Sequence, residues 1–500
     1  MDGATGTNLM KAGMPAGVCP EAWILEHEEI MLALQKAYVA AGTRLLYAPT
    51  FTANRPKLKE YGLYDKMESM ITRLVGISRR AAADASSRVY VAGDLTMTGI
   101  QLKPVGTMEF EELVDIYKEQ IGYLAAAGVD CLVVETMMSL QETRAAIIAA
   151  KEVCALPVLA TLTFESDGRT LFGTDAESAA VVLESLGADA LGANCSTGPD
   201  KMLPVLEKML AVTRVPVIAK PNAGLPETDE TGATVYRMTP EEFAEDMEPL
   251  LSAGVQIVGG CCGTTPAHIE ALAKILCRLE AKEAQGQGAR EVYTDIHADK
   301  GVNCTTRQPC AAQPEQGTGT GVEPVCRIER RKDGLFTLAS ERKTLQFYLS
   351  PEKEKTQTGQ AQAREKEAPA GGVPFMVVGE RINPTGKKKL QAELREGRLS
   401  LVAEYAEEQE AAGASVLDIN VGMSGVDEKA LMLSVLEEVT SLTSLPLCLD
   451  SSSFEVMEAA LRHYPGRALI NSVDDERCET FLPLAKKYGA AIIILPVTKQ

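Results

Sequence analysis

The sequence predicts an α/β protein: a (β/α)8 TIM-type barrel, then a linker, then the first part of a second barrel of the same type. Three observations predict it. Short apolar runs alternate with longer amphipathic segments, the pattern of a parallel sheet wrapped by helices. The alternation fails after residue 281 and restarts at 375. Thiols and carboxylates cluster where the apolar runs end, and a parallel barrel places its chemistry there.

In the first unit, residues 1–281, apolar runs at 43–51, 89–95, 131–136, 158–164, 190–196, 215–222 and 255–262 read as strands. Segments 109–127, 141–153 and 240–253 have helical periodicity. A closed eight-stranded barrel needs one more strand, because an open parallel edge is left unpaired. That strand is expected ahead of Asp2, so the N-terminal strand is read as trimmed.

Residues 282–374 are rich in Gly, Gln, Thr and charge and bury little apolar area, so they are expected to be a polar, largely flexible linker. The piece 335–349 is the part of it able to order. Cys304, Cys310 and Cys326 fit no zinc-knuckle spacing and read as free thiols. From 375 to 500 the runs 376–382, 416–420, 445–450, 468–472 and 491–497 give five strands of a second barrel, cut off part-way.

Composition narrows the function. The net charge is −19 with no basic tract, which argues against a nucleic-acid partner. No run of about 18 apolar residues is present, so no membrane span is expected, and the N-terminus lacks a secretory pattern. The 12 cysteines are scattered over a long chain, which suits a reducing compartment, and a cytoplasmic location is expected. The four histidines, His27, His268, His297 and His463, lie far apart and support neither a His-rich metal site nor a serine–histidine triad.

Three cysteines carry most of the chemical information. Cys195 ends one apolar run, and Cys261 with Cys262 ends another. Adjacent cysteines can share a metal only where the backbone turns, and Gly259, Gly260 and Gly263 supply that freedom. Three thiolates converging from two strand ends would make a zinc site with one open position. A thiol entering that position would ionise at neutral pH. The alternative is a vicinal pair packed in the core with Cys195 as an unrelated small apolar residue.

Four stretches bear a family resemblance: Asp-Gly-Ala-Thr-Gly-Thr-Asn-Leu (2–9), Gly-Ala-Asn-Cys (192–195), Lys-Pro-Asn-Ala-Gly-Leu-Pro (220–226) and Gly-Gly-Cys-Cys-Gly-Thr-Thr-Pro (259–266). In that order they resemble the homocysteine-binding module of the cobalamin-dependent methionine synthases. The resemblance implies that Cys195, Cys261 and Cys262 hold zinc and form the catalytic centre, with homocysteine sulfur in the open position. It implies that Asp2, Gly3 and Glu135 bind the amino-acid head of homocysteine and that Asn222 reaches the zinc when substrate is absent. Thr161 and the loop 168–174 are expected to line the pocket.

The second unit resembles the pterin-binding barrel of folate-dependent methyltransferases through Val-Gly-Glu-Arg-Ile-Asn-Pro-Thr-Gly (378–386), Leu-Asp-Ile-Asn (417–420), Leu-Asp-Ser (449–451) and Ile-Asn-Ser (470–472). Asn383, Asp418, Asp450 and Asn471 are the matching pterin contacts. A carboxylate can accept from an amino group and a ring N–H together, and Asn serves donor and acceptor edges. The family's pterin barrel has three further strands, and its cobalamin-binding module follows. The resemblance therefore implies that homocysteine thiolate on zinc takes a methyl group from methylcobalamin, which is recharged from 5-methyltetrahydrofolate. The corrinoid would sit on a further domain or a separate protein. Two rivals remain: a stand-alone homocysteine methyltransferase with a sulfonium or betaine donor, and a non-catalytic zinc- and thiol-binding subunit.

Overall fold

The computed structural model describes residues 1–230, 232, 234–284, 335–348 and 376–496. Cys304, Cys310, Cys326, His297 and most of the linker lie outside the described residues. The first unit is built on β1 (Leu45–Tyr47), β2 (Tyr90–Leu95), β3 (Cys131–Met137), β4 (Val158–Leu162), β5 (Ala190–Asn194) and β6 (Val217–Lys220). A small hairpin follows, β7 (Glu227–Thr228) and β8 (Thr234–Val235), then β9 (Ile257–Val258). Strands β1 to β6 and β9 form one parallel sheet in that order, with helices between them. Where the sequence led one to expect an eighth strand, the first two residues bridge the edges. The Met1 ammonium donates to Val258 O (2.6 Å) and Gly260 N–H to Asp2 O (3.0 Å). On the other side Asp2 N–H reaches Leu45 O (3.2 Å).

Side-chain alternation sorts each strand into two faces. Tyr47, Ala92, Cys131, Val133, Leu159, Ala190 and Ile218 pack together inside the ring. The alternate residues, such as Val91, Leu132, Val134, Ala160, Leu191 and Val217, pack outward against the helices. Each fully buried Leu or Val contributes roughly 1.5–3 kcal/mol. Local chemistry sets the helix limits. Before the helix Pro240–Ala253, Thr239 and Glu242 form a capping box with Pro at the first turn, and Gly254 ends it at φ +110°.

The second unit is a parallel sheet of β12 (Val378–Ile382), β13 (Val416–Ile419), β14 (Leu447–Asp450), β15 (Leu469–Val473) and β16 (Ala491–Ile494), in sequence order. Between the two sheets, the piece of the linker that the sequence marks as able to order is ordered. Residues 335–348 form an antiparallel hairpin, β10 (Leu335–Ala339) and β11 (Thr344–Tyr348). It seats Leu338, Phe336 and Leu345 against Val416, Cys448, Leu469 and Ala491, plugging the N-terminal end of the second sheet. Tyr464 Oη and Arg467 tie the hairpin down through Ala339 O and Thr337. Its apolar residues need partners more than 60 positions away, which composition does not reveal.

The units meet through helices. Arg144, in the helix Leu140–Val153, is 1% exposed and donates to Leu461 O (3.1 Å) and Arg462 O (3.4 Å) near the end of the helix Phe454–His463. Arg462 in return pairs with Glu111 and Glu152. His463 packs against Phe110 in this contact, and His27 stacks on Trp23. Among the described residues no helix is long and apolar enough to cross a membrane.

Candidate functional site

The three sequence-selected cysteines come together. Cys195 follows the last residue of β5, and Cys261 and Cys262 follow β9 in a turn. Their sulfurs lie within 4.8 Å of one another, with Cys195 Sγ 3.9 Å from Cys262 Sγ. Pairing ends earlier than the apolar runs suggest because the backbone turns here. Cys195 and Ser196 sit at φ +62° and +60°, and Thr136 at +58°, values that cost non-glycine residues energy and gather at functional sites. Gly263, at φ +82°, has no room for a side chain, since a Cβ there would lie 2.3 Å from Tyr236 Cβ. Gly3 is equally constrained by Tyr38 Oη and Thr264 Oγ1, both 2.7 Å from where its Cβ would stand.

Cys262 is the most acidic thiol of the trio. Hydrogen bonds from Cys195 and Cys261 pull that thiol down to about 3, with Tyr236 donating a further bond. Cys195 is lowered by its bond with Cys261, but its bond to Cys262 and burial outweigh that and leave it at about 11. Cys261 is raised by its bonds to Cys195 and Cys262. Three soft sulfurs at this spacing fit a thiophilic ion such as zinc, which would take the remaining thiol protons. Asn194 orients the group: it accepts from Thr136 N–H (2.9 Å), donates to Thr136 Oγ1 (2.7 Å) and faces Cys261 Sγ at 3.9 Å.

The same end of the barrel carries a buried charged layer. Lys220, 3% exposed, lies 3.3 Å from Asp2 Oδ1 and 3.7 Å from Glu135 Oε2, with its ammonium 3.4 Å from the centre of the Tyr47 ring. Burial pulls Lys220 down, but Tyr47, Glu135 and Asp2 outweigh it and hold it charged. Burial raises Glu135, with Lys220 opposing. Asp2 commits its second oxygen to Tyr47 N–H (2.8 Å). Asn222 is 2% exposed, and its Oδ1 has no hydrogen-bond partner, nor has Thr161 Oγ1. A cavity of about 290 Å³ opens beside Cys195, lined in part by Phe164, Asp167, Gly168, Thr197 and Lys201. Of the loop 168–174, Gly168 is the residue that lines it.

In the second sheet Asp418, Asp450 and Asn471 lie together, and Asn383 follows the last residue of β12. Asn471 donates to Asp418 Oδ1 (3.1 Å), and Asp450 accepts from Asn420 (2.8 Å). Burial raises Asp418, while the Asn471 bond opposes. Asn383 turns its Oδ1 to Thr385 N–H (2.9 Å). The sequence reading passed over Asn420 and Asn194, although both stand inside quoted motifs. It also passed over Tyr236, which reaches the thiols from a loop with no motif of its own.

Residues 1–276 match the homocysteine S-methyltransferase family, and residues 379–500 match the pterin-binding enzymes. The methionine synthases of Mycobacterium leprae (strain TN) and Mycobacterium tuberculosis (strain ATCC 25618 / H37Rv) are each 27% identical over 521 aligned residues. The alignments take in 100% of this chain and 38% of each relative, so the chain spans well under half of their length. The metallated form of the homocysteine methyltransferase MmuM from Escherichia coli is similar to 55% of this chain over 95% of its own, at 22% identity and a TM-score of 0.47. The first family match takes in more than half of the sequence, and a pterin-binding domain follows it: the chain belongs to the homocysteine S-methyltransferase family.

Proposed function

We propose that this chain is the homocysteine- and folate-handling part of a cobalamin-dependent methionine synthase. The observation that carries the reading is the convergence of Cys195, Cys261 and Cys262 beside a buried charged layer, with a pterin-binding domain behind it. Cys195, Cys261 and Cys262 would hold zinc, which when bound lowers the pKa of a ligating thiol and keeps it as a nucleophile. Glu135 offers a carboxylate to the substrate ammonium, and Lys220 holds Asp2 and Glu135 in place. Asn194 and Tyr236 direct N–H and O–H groups at the sulfurs of Cys261 and Cys262 and so stabilise their negative charge. Burial of the layer keeps water from the amino-acid head. Methylcobalamin would supply the methyl group, and Asp418, Asp450, Asn471 and Asn383 would hold the 5-methyltetrahydrofolate that recharges it.

Methionine formation from homocysteine with free methylcobalamin, betaine or S-methylmethionine as donor tests this reading. Turnover with methylcobalamin alone is expected. Turnover with betaine or the sulfonium would favour the stand-alone enzyme, and none with any donor would favour a binding subunit.

A further inference from the structure

One inner-wall residue of the first barrel has no part in the chemistry above. Asp94 lies in β2, and its Cα pairs with that of Val133, two positions before Glu135 on β3. Ala92 and Val133 belong to the apolar interior, so strand alternation puts Asp94 and Glu135 on the same wall, toward the thiols. Asp94 is 5% exposed, yet its Oδ1 makes no hydrogen bond. Glu135 Oε2 and Thr161 Oγ1 share that condition. Structural aspartates of this barrel behave differently. Asp130 accepts from Val91 N–H (2.7 Å) and Asp189 from Val158 N–H (2.8 Å).

Buried carboxylate oxygens without donors are unfavourable unless a ligand completes them. Asp2, Asp94 and Glu135 face one side-chain cation, Lys220, which lies within 4 Å of the other two acids. Burial raises both Asp94 and Glu135 above the usual carboxylate range, and their buried oxygens lack donors. A primary ammonium brings three N–H donors in a compact head and a positive charge that draws neighbouring carboxyls to the ionised form.

We propose that Asp94 is a second carboxylate for the α-ammonium of the substrate, acting beside Glu135 to make this subsite demand a charged amino group. This rests on the reading that the substrate is an amino-acid thiol. Asp94 touches the substrate rather than the metal.

The test measures binding of L-homocysteine, 4-mercaptobutyrate (no amino group) and 3-mercaptopropylamine (no carboxylate) to the zinc-loaded chain and to its Asp94→Asn and Asp94→Ser variants. Both amino thiols are expected to bind the variants roughly 10- to 100-fold more weakly, the range for a hydrogen bond to a charged group. 4-Mercaptobutyrate should be unaffected, which also shows that the variants keep an intact thiol site. Equal weakening of all three ligands, or none, overturns the proposal. If L-homocysteine fails to bind the unaltered chain, the substrate reading falls with it, before any variant is made. Should the variants lose zinc, infrared difference spectra of the unaltered chain decide. L-Homocysteine should perturb two buried carboxyl groups that 4-mercaptobutyrate leaves alone, and perturbation of one only assigns the ammonium to Glu135 and removes Asp94.

Discussion

Inward positions in both sheets change from apolar to polar toward the C-terminal strand ends, but the two layers finish differently. In the first barrel Asp94, Glu135, Thr161 and Asn222 each leave a buried oxygen without a hydrogen-bond partner. In the second sheet Asp418 is paired with Asn471 and Asp450 with Asn420, and among the described residues no such orphaned atom lies there. An incomplete layer suits a ligand that brings charge and donors of its own. A self-paired layer suits a ligand that exchanges one donor–acceptor set for another, as a pterin edge can. The floors differ as well: side chains of its own strands fill the first ring, whereas the hairpin β10–β11 plugs the second.

The contrast can be broken by mutation. The largest effect is expected at the thiols. Cys195→Ala, Cys261→Ala or Cys262→Ala should each weaken zinc binding by more than about 100-fold, since outer-shell partners alone carry 10- to 100-fold. Competition with a chromophoric chelator measures it. Asp418→Ala, in the other sheet, should leave zinc affinity unchanged, and equal loss there would erase the distinction.

Next is the plug. Leu338 is fully buried, and Leu338→Ala should lower the stability of the second unit by about 2–5 kcal/mol while the first keeps its zinc. Thermal unfolding followed by metal release separates the two. Simultaneous loss of both would mean that the hairpin supports the whole chain.

Arg144→Ala comes third. It would strip Leu461 O and Arg462 O of their donor, at roughly 1–3 kcal/mol of contact between the units. The calorimetric transitions of the units should move apart, and an unchanged trace would remove Arg144 from the coupling.

The smallest effect is one of pH. Burial pushes Glu152 up, but Arg462, Lys118 and Lys487 outweigh it and hold its carboxyl down to about 2, against an ordinary 4.5. Between these values the unfolded chain binds the proton and the folded chain does not. The stabilisation is therefore complete above about pH 4.5 and lost as pH falls toward 2. Glu152→Gln should flatten stability over that window, and an unaltered slope would contradict the assignment.

Much of this was legible in the sequence because strand periodicity and motifs are local. The seven strands of the first sheet and the five of the second all coincide with apolar runs, and the cysteine trio announced itself by glycine-flanked strand ends. What escaped depends on distant partners. Asp94 stands in an ordinary strand, and nothing local in the sequence sets it on the same wall as Glu135 of the neighbouring strand and near Lys220. Arg144 looks like a helix-surface charge until the second unit covers it. The piece 335–348 could be read as able to order, but its hairpin form and its seat against Val416, Cys448, Leu469 and Ala491 could not. Strand β9 shrank to Ile257–Val258 because the glycines after it turn the chain to aim the thiols.

The most direct test of the central reading is X-ray absorption at the zinc edge of the metal-loaded chain, before and after adding L-homocysteine. Three sulfur neighbours in the free chain and four in the complex are expected, with Cys195, Cys261 and Cys262 giving three and the substrate the fourth. Two or fewer protein sulfurs, or no change on adding L-homocysteine, would contradict it.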